Sequence, residues 1–138
     1  MSEQENVAIV QRGYEAFGRG DIDALIETMD ANIEWTSPGP SDLATAGQRV
    51  GHQQIRQFFA TINELYEFQR FEPQTFVADG DKVVVLGEDT LTVKATGKTV
   101  TESWAHVFTI KNGKIVRFQE YIDTAAIVAE LRAAQAKA

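Results

Sequence analysis

Two side chains that can move protons lie on successive predicted strands in the second half of the chain. Strands are predicted over residues 99–110 and 114–122, where β-branched and aromatic residues recur between turn signals. The first strand contains His106 and the second contains Glu120. Because side chains alternate between the two faces of a strand, the loop between the strands decides whether these groups share a face.

The loop Lys111-Asn112-Gly113 suits a type I turn followed by a glycine in a left-handed bulge. This three-residue loop pairs His106 with Phe118 and Trp104 with Glu120. A two-residue Asn-Gly turn would shift the register by one residue and break the sorting of apolar and polar side chains. We therefore expect one mainly apolar face, which carries Trp104, His106, Phe108, Val116, Phe118 and Glu120.

A polar pair on an apolar wall is costly unless it is hydrogen-bonded or used. Glu120 can act as a general base or acid, and His106 can donate a hydrogen bond to an oxygen that gains negative charge. Two alternatives stay open. His106 is equally explained as a structural histidine bonded to the backbone or to Glu120, and Glu120 becomes a surface carboxylate if the register differs.

Three other acidic residues lie in or directly after the predicted strands. Asp123 follows the second strand and is explained as the cap of a last helix. Glu88 and Asp89 lie in the middle of a strand predicted over 82–93, so one of them faces inward or lies at a sheet edge. The alternation of side chains leaves open which of the two does so.

The elements that must position these residues follow the order helices, strands, closing helix. Ser2 and Glu5 predict a capping box for a first helix that ends at Gly18, and Asp21 predicts the cap of a second helix. A short strand over 33–37 and a polar loop over 41–50 lead to a third helix, predicted from about 52 to 66. Strands over 71–78, 82–93, 99–110 and 114–122 then form an antiparallel meander.

Helices ahead of a long antiparallel sheet favour an α+β fold, in which a strongly bent sheet is wrapped by the N-terminal helices around an apolar pocket. A short C-terminal helix closes the arrangement. The predicted ligand-binding residues are the aromatic side chains of the helices and of the inward strand faces: Tyr14, Phe17, Trp35, Phe58, Phe59, Trp104, Phe108 and Phe118.

Composition narrows the class of protein. The 138 residues predict one domain over 1–138, and 43% of them are hydrophobic, which is enough for a core. The chain has no cysteine and only two histidines, so we expect no metal site. A net charge of -7 without a basic cluster argues against nucleic acid as a partner. No apolar run approaches the roughly 20 residues of a membrane helix, and the acidic N-terminus is unlike a secretory signal, so a cytoplasmic location is expected.

Several segments resemble a known family in their order and spacing. They are Val10–Phe17, Gly20–Leu25, Asp30–Trp35, Gly51–Phe59, and most strongly Trp104–Ile110, Asn112–Phe118 and Tyr121–Ala125. Together they are similar to SnoaL-like proteins of the nuclear transport factor 2-like superfamily. The resemblance covers nearly the whole chain and implies a cone-shaped α+β barrel that often forms homodimers through its sheet.

The resemblance also indicates which activities of this superfamily have site residues that match this chain. Its polyketide cyclases have a histidine and an acidic residue at the positions of His106 and Glu120, although glutamate is one methylene longer than the aspartate usual there. The ketosteroid isomerase pattern is broken at Gly13, Trp35 and His106. The epoxide hydrolase pattern is broken at Trp104 and His106.

The function expected from the sequence is therefore binding of a small apolar carbonyl compound, with acid–base isomerisation or cyclisation by Glu120 and His106 and without a cofactor. Two other classes of function remain. One is a small-molecule-binding module without catalysis, and the other is an assembly domain that dimerises through its sheet.

Overall fold

The computed structural model describes residues 2–137, so Met1 and Ala138, the two ends of the predicted domain, lie outside the described residues. The chain folds as helices, then a sheet, then a helix, as predicted. In chain order the elements are α1 (Glu3–Gly18), α2 (Ile22–Glu27), β1 (Met29–Ser37), β2 (Gly47–Val50), α3 (Gly51–Leu65), β3 (Tyr66–Asp79), β4 (Lys82–Val93), β5 (Lys98–Lys111), β6 (Lys114–Ile122) and α4 (Ala125–Lys137).

Both predicted helix caps in the N-terminal region are confirmed. The Glu5 backbone N–H donates to the Ser2 hydroxyl, and the Ser2 backbone N–H donates to the Glu5 carboxylate, each over 3.0 Å. At the start of α2 the Asp21 carboxylate accepts from the backbone N–H of Ala24 over 3.0 Å. These bonds satisfy amide groups that have no partner inside a helix.

The six strands form one sheet in the order β2-β1-β6-β5-β4-β3. The hairpins from β3 to β6 are antiparallel and confirm the predicted meander. β1 pairs in parallel with β6, and β2 is antiparallel to β1 at the edge of the sheet. The α+β fold is thus confirmed, and among residues 2–137 no helix is both long and apolar enough to cross a membrane.

β3 begins earlier than predicted. The third helix was expected to include Tyr66, but it ends at Leu65 and the chain passes into β3 without a loop. Tyr66 has an extended backbone with φ -125° and ψ 152° and pairs with Val93. Pairing with β4 therefore overrides the helical spacing of Leu65 and Tyr66.

The predicted loop between β5 and β6 is wrong. The hairpin turns through Asn112 and Gly113 alone, with φ of 52° and 77°, and Lys111 pairs with Lys114. Positive φ at both central residues is the geometry of a type I′ turn, which asparagine followed by glycine favours.

A β-bulge next to this turn restores the sorting of side chains that the shorter loop would have broken. Thr109 pairs with Arg117 and Ile110 pairs with Ile115, so Val116 is an extra residue on β6. Beyond the bulge His106 pairs with Glu120, where the prediction paired it with Phe118. Trp104 correspondingly pairs with Ile122 and not with Glu120. Beyond the bulge the even-numbered side chains of both strands share the inner face, whereas on the turn side of β6 Ile115 lies in the core and Val116 does not.

The core lies between α1, α2 and α3 and the inner face of the sheet. α1 contacts β3, β4 and β6, and α3 contacts β1, β2 and β3. A second group of buried residues lies under α4, where Ile127 and Leu131 pack against the inner residues Leu91 and Val93 of β4. The helices and α4 thereby enclose the inner face of the sheet around a cavity.

Candidate functional site

The cavity has a volume of about 140 Å³ and its lining is mainly apolar. A cavity of roughly 150 Å³ accommodates one benzene-sized ring. Of the predicted ligand-binding residues, those that line the cavity are Tyr14, Phe17, Trp35, Phe58, Phe59, Phe108 and Phe118. Trp104 is not among the residues that line it.

His106 and Glu120 both line this cavity and are directly opposite each other on β5 and β6. His106 Nε2 is 2.9 Å from Glu120 Oε2, and His106 Nδ1 is 2.8 Å from the Tyr14 hydroxyl. His106 is 5% exposed, whereas the Glu120 side chain is 26% exposed. The three side chains therefore form a hydrogen-bonded series from α1 through β5 to β6.

The surroundings of His106 determine which of its two ring nitrogens carries a proton. Burial lowers the pKa of His106, and the hydrogen bond and negative charge of Glu120 oppose only part of this effect. Burial raises the pKa of Tyr14 above its ordinary value, so its hydroxyl keeps its proton. Because a carboxylate only accepts hydrogen bonds, a neutral His106 donates from Nε2 to Glu120 and accepts at Nδ1 from Tyr14.

Trp104 supports His106 from the neighbouring inner position of β5. The two rings stack with centroids 3.9 Å apart and planes 11° apart. Room for the indole comes from Gly87, which is directly opposite on β4. A Cβ atom at Gly87 would lie 2.4 Å from Trp104 Cη2. The ring of His106 is thus held by a face contact as well as by two hydrogen bonds.

Trp35 forms another part of the cavity wall. Its ring stacks on Phe118 with centroids 3.7 Å apart and also contacts Phe58 and Phe59. Its indole Nε1 is buried and has no hydrogen-bond partner among the described residues. The ring of Trp35, packed against these aromatic side chains, contributes an apolar surface to the cavity, consistent with its predicted position.

Asp89 and Glu102 also line the cavity and were not predicted as site residues. They are directly opposite each other on β4 and β5, and Asp89 is only 4% exposed. Burial raises the pKa of both carboxyls above the ordinary range, and the negative charge of Glu120 adds to the rise. Glu102 and the Trp104 indole oppose part of the rise at Asp89, whereas Asp89 adds to the rise at Glu102, so Glu102 holds its proton more strongly.

Residue alternation could have found both positions. Glu102 has the same parity on β5 as Trp104 and His106 and therefore belongs to the inner face. On β4 the buried residues Val83 and Val85 are odd-numbered, like Asp89. Glu88 points to the other face, where it forms an ion pair with Arg70.

The remaining acidic candidate lies outside the site. The Asp123 carboxylate accepts from the backbone N–H of Ala125, the first residue of α4, over 3.1 Å. This bond supports the predicted role at the start of the last helix. Asp123 is exposed and does not line the cavity.

Comparison with known proteins identifies the family. The SnoaL-like domain family matches residues 10–118. An NTF2-like protein from Burkholderia xenovorans LB400 is 37% identical and superposes with a TM-score of 0.87, covering 95% of this chain and 98% of that chain. TerC, whose structure was determined after co-crystallisation with polyporic acid, is 30% identical with a TM-score of 0.80 and coverage of 92% and 97%.

A more distant structure shows the same fold. A candidate polyketide cyclase from Xanthomonas campestris pv. campestris is 21% identical with a TM-score of 0.77, covering 94% of this chain and 98% of that chain. Among curated protein sequences none matches this chain. The chain belongs to the SnoaL-like family of the nuclear transport factor 2-like superfamily, as the order of its sequence segments predicted.

Proposed function

We propose that the cavity binds a small, largely apolar carbonyl compound and that Glu120 moves a proton on it in an isomerisation or cyclisation. The observation that carries this proposal is the series Tyr14–His106–Glu120, which ends in a carboxylate on the wall of a mainly apolar cavity. Among the described residues only His106 hydrogen-bonds this carboxylate, through Oε2. The other oxygen, Oε1, is free to accept a proton from a ligand.

The geometry changes the role that the sequence suggested for His106. The sequence-based hypothesis had His106 donating to the oxygen of the developing enolate. Both ring nitrogens already have protein partners, so the proposal makes His106 a positioning residue that orients Glu120. Tyr14 holds the tautomer in which Nε2 carries the proton.

The proposed step begins with a carbon acid next to the carbonyl group. Glu120 removes the proton from that carbon, the C–H electron pair forms the enolate double bond, and the carbonyl oxygen gains negative charge. Return of the proton from Glu120 to another carbon gives an isomer. Attack of the enolate carbon on a second carbonyl of the same molecule closes a ring, and the resulting alkoxide takes the proton from Glu120.

The relatives are consistent with binding of a small molecule. TerC was co-crystallised with polyporic acid and is 30% identical to this chain. The fold is also that of a candidate polyketide cyclase. Both are consistent with a small-molecule pocket, and the identity of the ligand and the proton transfer are our proposal.

The test is proton exchange on small aromatic and cyclic ketones in deuterated water, followed by NMR. The wild-type protein is expected to accelerate exchange at the carbon next to the carbonyl. Glu120→Gln should reduce this acceleration by roughly 10²- to 10⁴-fold, because the amide keeps the hydrogen bond from His106 but is not a base. Glu34→Gln is the matched control, since Glu34 lies on the outside of β1 in an ion pair with Arg117.

Two outcomes would change the proposal. Exchange by Glu120→Gln at the wild-type rate would remove Glu120 as the base. Ligand binding by the wild-type protein without any exchange would favour the second candidate, a binding module without catalysis. Mass spectrometry of ligands that co-purify with the protein would supply compounds for the same test.

We also propose that the chain forms a homodimer through the outer face of the sheet. Leu86, Ala105 and Tyr121 are directly opposite one another on β4, β5 and β6, and Leu86 and Tyr121 are 45% and 59% exposed. An exposed apolar row of this kind is stabilised by contact with a second copy.

Sedimentation should show a dimer that Leu86→Lys converts to a monomer, whereas Gln11→Lys on exposed α1 leaves the mass unchanged. A monomeric wild-type protein would contradict the dimer.

A further inference from the structure

The cavity has a second polar end, formed by Asp89 and Glu102. Both carboxyls line the cavity and are directly opposite each other on β4 and β5. Glu102 lies four residues before His106 on β5, which corresponds to about 13 Å along a strand. The Asp89–Glu102 pair therefore lies at a different position along β5 from Glu120, which is opposite His106, so the two polar ends face different parts of a ligand.

One carboxylate oxygen at the second polar end has no hydrogen-bond donor. Asp89 is 4% exposed, and its Oδ1 is buried without a hydrogen-bond partner in the described part of the chain. Buried carboxylate oxygens are normally paired, because removing them from water without a donor is costly. A donor on a bound ligand would complete this site.

The charge of the lining determines what kind of donor fits. Asp89, Glu102 and Glu120 all line the cavity, and no lysine or arginine of residues 2–136 does so. Arg70, which is near Asp89, forms its ion pairs with Glu72 and Glu88. A positively charged donor would therefore be attracted by the charges of Asp89 and Glu120 and would meet no competing cation.

The walls next to Asp89 also suit an organic cation. Tyr66, Phe68 and Phe71 of β3 line the cavity, and Phe71 is directly opposite Asp89 in the sheet. The faces of aromatic rings attract ammonium groups. Within residues 2–137 no group of three or more histidine and acidic side chains is placed to hold a metal ion, so the arrangement favours an amine.

We propose that Asp89, supported by Glu102, binds a protonated amino group, so that the ligand is a small aromatic amine whose carbonyl end, on the proposed function, lies at Glu120. The raised pKa of both carboxyls is consistent with a buried pair whose ionised form a bound cation would stabilise. In this pair Glu102 retains a proton and acts as a donor toward Asp89, which is the group that carries the charge.

The test compares three probes of similar size by calorimetry at neutral pH: phenethylamine, phenethyl alcohol and phenylacetate. The amine is expected to bind roughly 10- to 100-fold more tightly than the alcohol, which is the usual effect of a hydrogen bond to a charged group. Phenylacetate should bind most weakly, because its carboxylate meets the negative charges of Asp89 and Glu120.

Matched variants separate the charge of Asp89 from its packing. Asp89→Asn should reduce the ratio of amine to alcohol affinity by about tenfold or more, with the alcohol affinity little changed. Glu102→Gln should keep most of the preference, since its amide N–H replaces the acid as a donor. Glu88→Gln is the control, because Glu88 adjoins Asp89 in sequence but lies on the outer face. Asp89→Ser also removes the charge and serves if Asp89→Asn does not fold.

The results distinguish this inference from the proposed function. Equal affinity for amine and alcohol in the wild-type protein, or an unchanged preference in both Asp89 variants, would overturn the amine site and leave the cavity as a binding site for neutral compounds. Failure of all three probes to bind would also overturn the amine site, whereas proton exchange on ketones tests the proposed function separately.

Discussion

His106 is buried with a hydrogen bond at each ring nitrogen, and this fixes what each neighbouring side chain can do. A neutral ring has one donor and one acceptor, and Glu120 and Tyr14 use them both. Tyr14 was predicted only as an aromatic wall residue. Its hydroxyl is 92 residues from His106 along the chain, and no local pattern in the sequence links the two.

The first prediction concerns this hydroxyl. Tyr14→Phe removes the donor to His106 Nδ1 and leaves a buried acceptor without a partner, so we expect the free energy of unfolding to fall by about 1–3 kcal/mol. Proton exchange should also slow, because the orientation of Glu120 is less well fixed. Denaturant unfolding measures the first effect, and nitrogen NMR of His106 reports the loss of the bond at Nδ1.

The matched control for this change is Tyr121→Phe. Tyr121 is 59% exposed on the outer face of the sheet, and Tyr121→Phe keeps the ring that the proposed dimer would bury, so loss of its hydroxyl should change the unfolding free energy by less than about 0.5 kcal/mol. Equal effects of the two substitutions would mean that the Tyr14 hydroxyl contributes nothing specific to the site.

At the level of elements, the sequence predicted which faces of the strands turn inward better than it predicted their register. The inner face of β5 and β6 was correct except at Val116, because apolar residues alternate along both strands beyond the bulge. The loop was wrong because Lys111-Asn112-Gly113 is compatible with two turn types, and the bulge at Val116 compensates for the shorter one. A bulge leaves little signal in a single sequence, since it is selected by tertiary packing.

The residues of β4 explain why the sequence left open whether Glu88 or Asp89 faces inward. Its first half contains Val84 and Leu86, which are apolar residues on the outer face, so both faces look alike. The second half alternates more clearly, with Leu91 and Val93 buried on the same face as Asp89. The alternation was therefore informative, but only when the whole strand is considered.

The second prediction concerns the packing of β4 against β5. Gly87→Ala places a Cβ atom 2.4 Å from Trp104 Cη2 and 2.5 Å from the backbone oxygen of Glu72. Because the backbone oxygen cannot move without disturbing β3, we expect a loss of about 1–3 kcal/mol in unfolding free energy and a displaced indole. Denaturant unfolding and tryptophan fluorescence measure these two effects.

Gly18→Ala is the control for Gly87→Ala, since a Cβ atom at Gly18 has no heavy atom within 4 Å. It should change stability little. A Gly87→Ala protein as stable as the wild type, with unchanged fluorescence, would show that the indole has more room than the distances indicate. The support that Trp104 gives to His106 would then need another explanation.

At the scale of the whole molecule, the parallel pairing of β1 with β6 joins the first half of the chain to the end of the meander. It positions Trp35 opposite Phe118 and so completes the cavity wall. The order of helices and strands, and hence the α+β fold, could be predicted from local patterns. This pairing could not, because it depends on contacts between residues far apart in the sequence.

Burial of ionisable groups in the cavity makes the stability of the molecule depend on pH in two opposite ways. The pKa of His106 is lowered by folding, so the unfolded chain takes up a proton more readily and stability is lost as pH falls below about 6.5. The pKa values of Asp89 and Glu102 are raised by folding, so their contribution is fully present below about pH 4 and is lost as pH rises through the raised values.

The third prediction follows from the second of these effects. Asp89→Asn removes a carboxyl that must ionise in a buried site near Glu102 and Glu120, so the variant should be more stable than the wild type by about 1 kcal/mol or more at neutral and alkaline pH. The difference should shrink toward pH 4, where the wild-type carboxyls are protonated. Glu88→Gln should not show this gain, because Glu88 is partly exposed beside Arg70. Urea unfolding across this pH range is the measurement. A variant no more stable than the wild type at any pH would show that Asp89 is already compensated within the chain, and the reason to expect a cationic ligand there would be lost.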